Sequence, residues 1–405
     1  MEAWIVGARR SPLGRAFKGS LTGVRADDLV ARVIQATLDA TEGVSLEDVE
    51  DLYLGCALPH GEQGQNLARV VSVLMGAEDL PGTTINRYCS SSVQTTRMAY
   101  HAIRSGEGNV FLSAGVESVS RGPNFRAAGV DTEGWNNPAF NDAAARSRAI
   151  AAGEQEWTDP RAEGLLPDVY IAMGQTAENV ATHCGISRTE QDEWAAESQR
   201  RAVAAIEAGL FDEQIVPIEL PDGTVVTRDD GPRPGTTVEK LATLQPVFRE
   251  NGTVTAGNSC PLNDGAASLL ITSDEFAKSR GIKPLARVVS TAVSALSPEI
   301  MGLGPIEATR RALELAGLTI GDIDLYEINE AFAAQVLPSA RELGMDLERL
   351  NVHGGGIALG HPFGATGARI TGTLLGAMQE RDAQFGLETM CVGGGQGMAM
   401  IIERL

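Results

Sequence analysis

The chain has 405 residues, 43% of them hydrophobic and 21% charged, which is ordinary for a folded globular protein and too long for a single core. Its formal net charge of −20 argues against nucleic acid as a general partner, although a local arginine cluster could still bind a small anion. No stretch approaches the roughly 18 uncharged apolar residues of a membrane helix, and five scattered cysteines without a CxxC pair predict neither a disulfide framework nor a zinc site.

The opening MEAWIVGARRSP reads as a strand, AWIVGA. Glu2, Arg9 and Arg10 interrupt its apolar run, so no secretory signal is expected and a reducing cytoplasm is the expected compartment. A helical pattern, ADDLVARVIQATLDATEG, comes next and is followed by the strand-like DLYLGCAL. A β-branched run then leads through NRYC into the helix SSVQTTRMAYHAIRSG, and NVFLSAGV reads as another strand. Residues 121–160 are loop-like and include RGPNFRAAGVDTEGWNNPAFND. Helical MGQTAENVATHCG and SRTEQDEWAAESQRRAVAAIEAG follow, then the proline-bearing DDGPRPGTTVEK. LARVVSTAV, PIEATRRALELAG, IDLYEI and ETMCVGG resume the alternation of strand and helix, which predicts an α/β protein.

The alternation carries an internal echo. GVSLEDVEDLYLG at 43–55 resembles GLTIGDIDLYEIN at 317–329, and each follows an amphipathic helix and a glycine. Two related halves are expected, each placing one chemical element on an equivalent loop. The first half is expected to hold residues 1–120 and 249–275. An inserted domain at 121–248 packs over the site, and the second half spans 276–405.

Four places carry chemistry. Cys89 lies at a strand-to-helix turn, where free N–H groups and the helix dipole favour thiolate and can stabilise an oxyanion; the alternative is a small buried core residue. HGGGIALGHPFGATGAR brackets His361 with Gly360 and Gly364, a way of presenting an imidazole rather than of filling a core. Cys391 stands between a strand and a glycine turn. Asn329, at the end of a strand in NEAFAAQ, could hold a water or a carbonyl, or cap a helix.

NRYCSSSVQ, NEAFA, GGGIALGHPFGATG and CVGGGQG occur in the order and spacing of the thiolase family. GTVTAGNSCPLNDGAA and the MGQTAENVA…GISRTEQDEWAAESQ segment are similar to it as well, so the resemblance covers essentially the whole chain. It implies a five-layered αβαβα fold of two βαβαβαββ halves with an inserted loop domain. It implies Cys89 as nucleophile, His361 as its base and Cys391 as the thiol that moves a proton at the α-carbon of acetyl-CoA. Asn329 positions a water that forms one oxyanion hole with His361, and the N–H groups of Cys89 and Gly393 form another. Phe332 lies along the pantetheine tunnel, Met173 belongs to the substrate region and Arg233 lies near the nucleotide of coenzyme A. No tightly bound cofactor is implied. Coenzyme A is a co-substrate alongside 3-ketoacyl-CoA and acetyl-CoA, and a homodimer or homotetramer is expected.

Three departures stand out. Ser92 replaces a commoner glycine, and Cys260 replaces a serine that contacts coenzyme A. Ala172 stands where acetoacetyl-specific members have histidine, which points to a degradative 3-ketoacyl-CoA thiolase of longer-chain preference, unless Phe125, Trp135 or Phe140 closes the pocket. A ketoacyl synthase of this fold would lack the second thiol. A non-catalytic acyl-CoA or lipid carrier would be expected to have lost one of Cys89, His361 and Cys391. A dehydrogenase is disfavoured because no GxGxxG follows the first strand.

Overall fold

The computed structural model describes residues 1–122 and 133–405; Phe125 lies outside the described residues. The first half runs β1 (Ala3–Arg10), β2 (Gly14–Arg15), α1 (Ala26–Asp39), β3 (Asp51–Gly55), α2 (Leu67–Leu74), β4 (Gly82–Ile85), α3 (Ser91–Ser105) and β5 (Val110–Ser118). Next come α4 (Asn141–Ala151), α5 (Met173–Cys184), α6 (Arg188–Glu207), the short hairpin β6 (Ile218–Glu219) and β7 (Val225–Val226), and α7 (Val238–Ala242). The chain then returns to the sheet with β8 (Asn263–Ser273) and α8 (Asp274–Arg280). The second half is β9 (Ala286–Ala295), α9 (Gly304–Ala316), β10 (Leu325–Ile328), α10 (Ala333–Leu343), α11 (Thr366–Glu380), β11 (Phe385–Val392) and β12 (Gln396–Arg404).

The strands lie in the order β10-β11-β12-β9-β1-β8-β5-β3-β4, with β2 on β8. β3 is parallel to β4 and β5, and β10 is parallel to β11, whereas β8 and β12 run antiparallel to their neighbours. The halves meet edge to edge at only two pairs, Trp4 with Arg287 and Ile5 with Ala286. Between the halves lie α3 and α11. They pack on each other; α11 also rests on β1, β5 and β8 on one side and on β10, β11 and β12 on the other. With α1 and α2 outside the first half and α9 and α10 outside the second, the layering is αβαβα. Every residue of β5 and β8 is buried, as expected of strands covered on both faces.

The internal echo has a physical counterpart. Ser45 and Thr319 each give a backbone N–H and a hydroxyl to an aspartate three residues on, Asp48 and Asp322, and each small turn feeds the next strand, β3 or β10. Even the third strand of the first half is answered, by a parallel bridge between Tyr326 and Leu350. The element order strand-helix-strand-helix-strand-helix-strand-strand is thus run twice.

The loop-like expectation for 121–160 is corrected over part of its length. NDAAARSRAIA forms α4, whose alanines favour helix although only Ala143 and Ile150 are buried. This region is fastened by Glu299, a buried carboxylate that accepts from Arg146 (3.1 Å), Trp157 Nε1 (2.9 Å) and the Asp168 N–H (2.9 Å). A second buried carboxylate, Glu330, ties α6 to the glycine loop by accepting from Trp194, Ser198, Asn351 and the Ile357 N–H. Among the described residues, no helix is long and apolar enough to cross a membrane.

Candidate active site

After β4 the backbone turns sharply. Tyr88 adopts φ +44, a left-handed conformation rare for an aromatic residue. Side chains on both flanks hold it there. Asn86 Oδ1 accepts the Tyr88 N–H at 2.8 Å, while Ser91 Oγ accepts the Arg87 N–H at 2.9 Å and donates to the Tyr88 carbonyl at 2.6 Å. Cys89 follows on a 3₁₀ turn, Tyr88–Ser90, that runs into α3 and packs on β11 and α11. The N–H groups of Gly393 and of Cys89 itself both reach its sulphur.

The expected thiolate is nevertheless corrected. Burial pushes the Cys89 thiol up to about 11, and nearby Glu117 adds to the rise, outweighing the two N–H groups. At neutral pH Cys89 rests as a thiol, and attack by its sulphur would need a base. Alkylation of Cys89 by iodoacetamide, followed by peptide mass spectrometry, is expected to accelerate about tenfold per pH unit between roughly pH 7 and 9. A plateau below pH 8 would show that a thiolate is already present.

His361 supplies an imidazole in the required state. The backbone N–H of His361 donates to Asn263 Oδ1 at 2.9 Å. The preceding Gly360 has φ +122, and a Cβ there would come within 2.7 Å of the Asn263 side chain, so glycine is required. His361 Nδ1 lies 2.6 Å from Thr366 Oγ1, whose own proton goes to the Pro362 carbonyl at 2.9 Å. Thr366 can therefore only accept from the ring, which places the proton on Nδ1 and leaves Nε2 as a lone pair. Asn329 Nδ2 stands 3.2 Å from Nε2, and its Oδ1 has no protein partner. Asn329 is not the helix cap, since Phe332 occupies that position of α10. Burial first, and the Arg369 guanidinium second, pull His361 down to about 3, so its imidazole is neutral.

Cys391 sits in β11 opposite Gly397 of β12 and is fully buried. Burial keeps its thiol protonated, and the neighbouring sulphurs of Cys89 and Cys260 push in the same direction. Phe332, Ala331 and Met301 cluster with Cys391, and Met173, Phe248 and Cys260 pack against them. Phe332 meets Phe248 edge-on at 6.1 Å. From Cys260 a pocket of about 490 Å³ opens outward past Phe248, Val247, Leu244 and Leu241 to Arg233. The sequence-predicted residues therefore fall into three places. Cys89, Gly393 and Cys391 lie within reach of one another, His361 pairs with Asn329, and Phe332, Met173 and Cys260 surround Cys391. Arg233 stands apart, exposed on the outer wall of the pocket.

One departure from the family pattern has a local role. Ser92 Oγ accepts the Ala368 N–H at 3.0 Å, satisfying a free donor in the first turn of α11 and joining the two central helices. Two residues were missed from sequence. Thr366 sets the imidazole tautomer, and its only signal was a hydroxyl five residues after His361. Glu117 ends the buried strand β5. Its carboxylate accepts the N–H groups of Ala57 (2.9 Å), Leu58 (3.1 Å) and Gly364 (2.9 Å), binding the loop after β3 to the His361 loop. An acidic residue closing the apolar run NVFLSAGVES was the available signal. Among the described residues, no group of three or more His, Cys, Asp or Glu side chains is arranged to hold a metal ion.

Comparison with known proteins agrees with this arrangement. The family model "Thiolase, N-terminal domain" matches residues 3–275 and "Thiolase, C-terminal domain" matches 282–404. The chain is 41% identical to a 3-ketoacyl-CoA thiolase of Bacillus subtilis (strain 168) over 99% of both chains. It is 44% identical to an acetyl-CoA acetyltransferase of Escherichia coli (strain K12), over 99% of this chain and 98% of the other. It is 42% identical over the full length of both to a beta-ketoadipyl-CoA thiolase of Escherichia coli. The crystal structure of the Bacillus anthracis acetyl-CoA acetyltransferase superimposes with a TM-score of 0.87 at 39% identity, over 100% of this chain and 99% of that one. A Cys89 turn beside the Cys391 strand, and a His361 loop tied to the loop after β3 by one buried carboxylate, in a twice-run αβαβα fold matched along its whole length, mean that the chain belongs to the thiolase family and is an acyltransferase with coenzyme A as co-substrate.

Proposed function

We propose that the protein cleaves 3-ketoacyl-CoA with free coenzyme A to give acetyl-CoA and a shortened acyl-CoA, by way of an acyl group on Cys89. The observation that carries the reading is the pairing of two protonated thiols with a neutral imidazole whose proton Thr366 fixes on Nδ1, leaving Nε2 as the acceptor, 3.2 Å from Asn329 Nδ2. Breaking a C–C bond next to a thioester needs a nucleophile for the keto carbon and, separately, an acid for the carbanion that leaves. His361 Nε2 takes the Cys89 proton as sulphur attacks the 3-keto carbon. The C2–C3 bond breaks, and its electron pair becomes the enolate of acetyl-CoA. Asn329 and His361, now an imidazolium, are the donors for an oxyanion on one side, and the N–H groups of Cys89 and Gly393 serve the other. Cys391 protonates C2. The thiol of free coenzyme A then returns a proton to Cys391 and takes the acyl group, and Cys89 recovers its proton from His361. Every step is reversible.

The substrate range we infer is the longer 3-ketoacyl chain. Ala172 ends its side chain at Cβ just before α5, and the wall beyond Cys260 is apolar. Phe140 packs edge-on against Tyr170, and Trp135 is exposed. Each buried methylene contributes about 0.8 kcal/mol, so two should raise kcat/KM roughly tenfold. Thioester exchange measured across chain lengths is expected to favour C8 over acetoacetyl-CoA. A preference for acetoacetyl-CoA would return the enzyme to short-chain, biosynthetic chemistry.

The division of labour we propose is a first half at 1–120 and 249–275, an inserted substrate-binding domain at 121–248 and a second half at 276–405. We also read the protein as a cytoplasmic homo-oligomer of fatty-acid or related β-oxidation. Val70, Val73 and Leu74 of α2, exposed beside the half-buried edge strand β4, support a covered face there.

A further inference from the structure

The Gly393 N–H that reaches the Cys89 sulphur is carried on a turn with little stiffness of its own. Gly393, Gly394 and Gly395 link β11 to β12, and Val392 pairs with Gln396 at the base of the turn. Gly394 and Gly395 have φ +78 and +79. Three consecutive glycines allow that shape but do not enforce it. An N–H that must meet developing charge at a fixed place has to be held from outside the turn.

One hold comes from the same half, where the Leu296 N–H donates to the Gly395 carbonyl at 2.8 Å. Two others come from the opposite half, from the residues just before Cys89. A Cβ on Gly393 would lie 3.4 Å from Tyr88 Cγ, and one on Gly394 would lie 3.8 Å from Tyr88 Cε2, so the ring rests on bare glycine backbone. Tyr88 is 47% exposed and strained at φ +44, so it is not there to fill the core. Arg87 works through a side chain at the start of β12. Its Nε donates to Gln94 Oε1 at 3.0 Å and its Nη1 to Gln396 Oε1 at 2.9 Å. A guanidinium only donates, so the Gln396 oxygen must face it. The amide nitrogen of Gln396 is then turned to the Gly393 carbonyl, 3.4 Å away.

We propose that Arg87 and Tyr88 are positioning residues that, with Gln396, hold the Gly393 peptide over Cys89. Its N–H meets the sulphur at rest and the acyl oxygen once Cys89 is acylated. This rests on the acyl-Cys89 reading above and adds to it side chains that act only through Gly393. The Gly393 N–H serves the acyl group on Cys89, whereas Asn329 and His361 serve the oxyanion on the other side. Loosening the glycine turn should therefore slow acyl transfer and spare the exchange of α-protons.

The test uses the full chain and two reactions. Exchange of a labelled acyl-CoA with coenzyme A reads transfer through Cys89, and exchange of acetyl-CoA α-protons with deuterated water reads the step at carbon. In R87M, Q396M and Y88G, acyl exchange is expected to fall by roughly ten- to a hundredfold, mainly in kcat, which is less than the loss of a whole oxyanion donor. The α-proton exchange should stay within about twofold, and melting temperatures within about 5 °C of wild type. Y88F keeps the ring and should recover most of the rate. R87M/Q396M should be no slower than the slower single variant, as a single relay requires. R87M and Q396M carry the test if Y88G does not fold. Equal losses in both reactions would overturn the proposal, reducing Arg87 and Tyr88 to general supports of the fold. Acyl exchange at the wild-type rate in R87M and Q396M would overturn it as well. If wild type catalyses neither exchange, the proposed reaction fails, and the hold on Gly393 is decided by iodoacetamide alkylation of Cys89 at pH 8. R87M and Q396M should then react several-fold more slowly, because a sulphur without the Gly393 N–H yields less thiolate. Alkylation as fast as in wild type would overturn the hold too.

Discussion

Cys89→Ala is expected to lower turnover by on the order of 10⁴-fold or more and to abolish covalent capture of the acyl group, because no other sulphur sits on the turn that the Gly393 N–H reaches. Intact-protein mass spectrometry after incubation with an acyl-CoA should show the acyl mass on wild type and none on the variant. The fold should survive. An alanine leaves the hydrogen bonds of Asn86 and Ser91 that shape the turn in place. An acyl adduct on the variant would remove Cys89 from the mechanism and return it to the core.

Cys391→Ala should separate two steps that the wild type runs together. Proton transfer to carbon is expected to fall by about 10³-fold, within the range of a lost general acid, while Cys89 remains acylable by a simple acyl-CoA. Exchange of the acetyl-CoA α-protons with deuterated water reads the first step, and mass spectrometry reads the second. The separation follows from where the sulphurs lie. Cys391 is interior, held in the ladder of β11 against Gly397, whereas Cys89 is on a turn in the other half. Exchange as fast as in wild type would mean that another group is the acid.

Much of this arrangement was legible in the sequence because local chemistry announces itself. The helices α1, α3 and α9 follow from their apolar spacing, and the repeated turn that feeds β3 and β10 was visible as an echo. The strand β8 did not stand out. NDGAASLLITS opens with Asp, Gly, Ala and Ser, residues poor in strand preference, yet it fills the middle of the first half between β1 and β5. Small side chains suit it because α11 presses on it closely, and that is tertiary information. The protonation of Cys89 failed as a sequence inference for a related reason. A helix N-terminus can be read locally, but the depth at which the turn is buried cannot. Thr366 and Glu117 were hidden because their importance lies in what they touch, an imidazole nitrogen and the backbone of two loops from different halves.

The narrowness of the junction between β1 and β9 has a consequence for how the molecule fails. Two residue pairs are a slight stitch between halves that each carry long ladders. Yet Cys89 comes from one half and His361 and Cys391 from the other. What keeps the sides in register is the central pair α3 and α11 together with the Ser92 and Glu117 contacts that cross between them. A slip in their docking would part Cys89 from His361 while leaving the ladders within each half intact. Catalysis is therefore a finer gauge of alignment than any measure of secondary structure, and warming should silence the enzyme before it melts it.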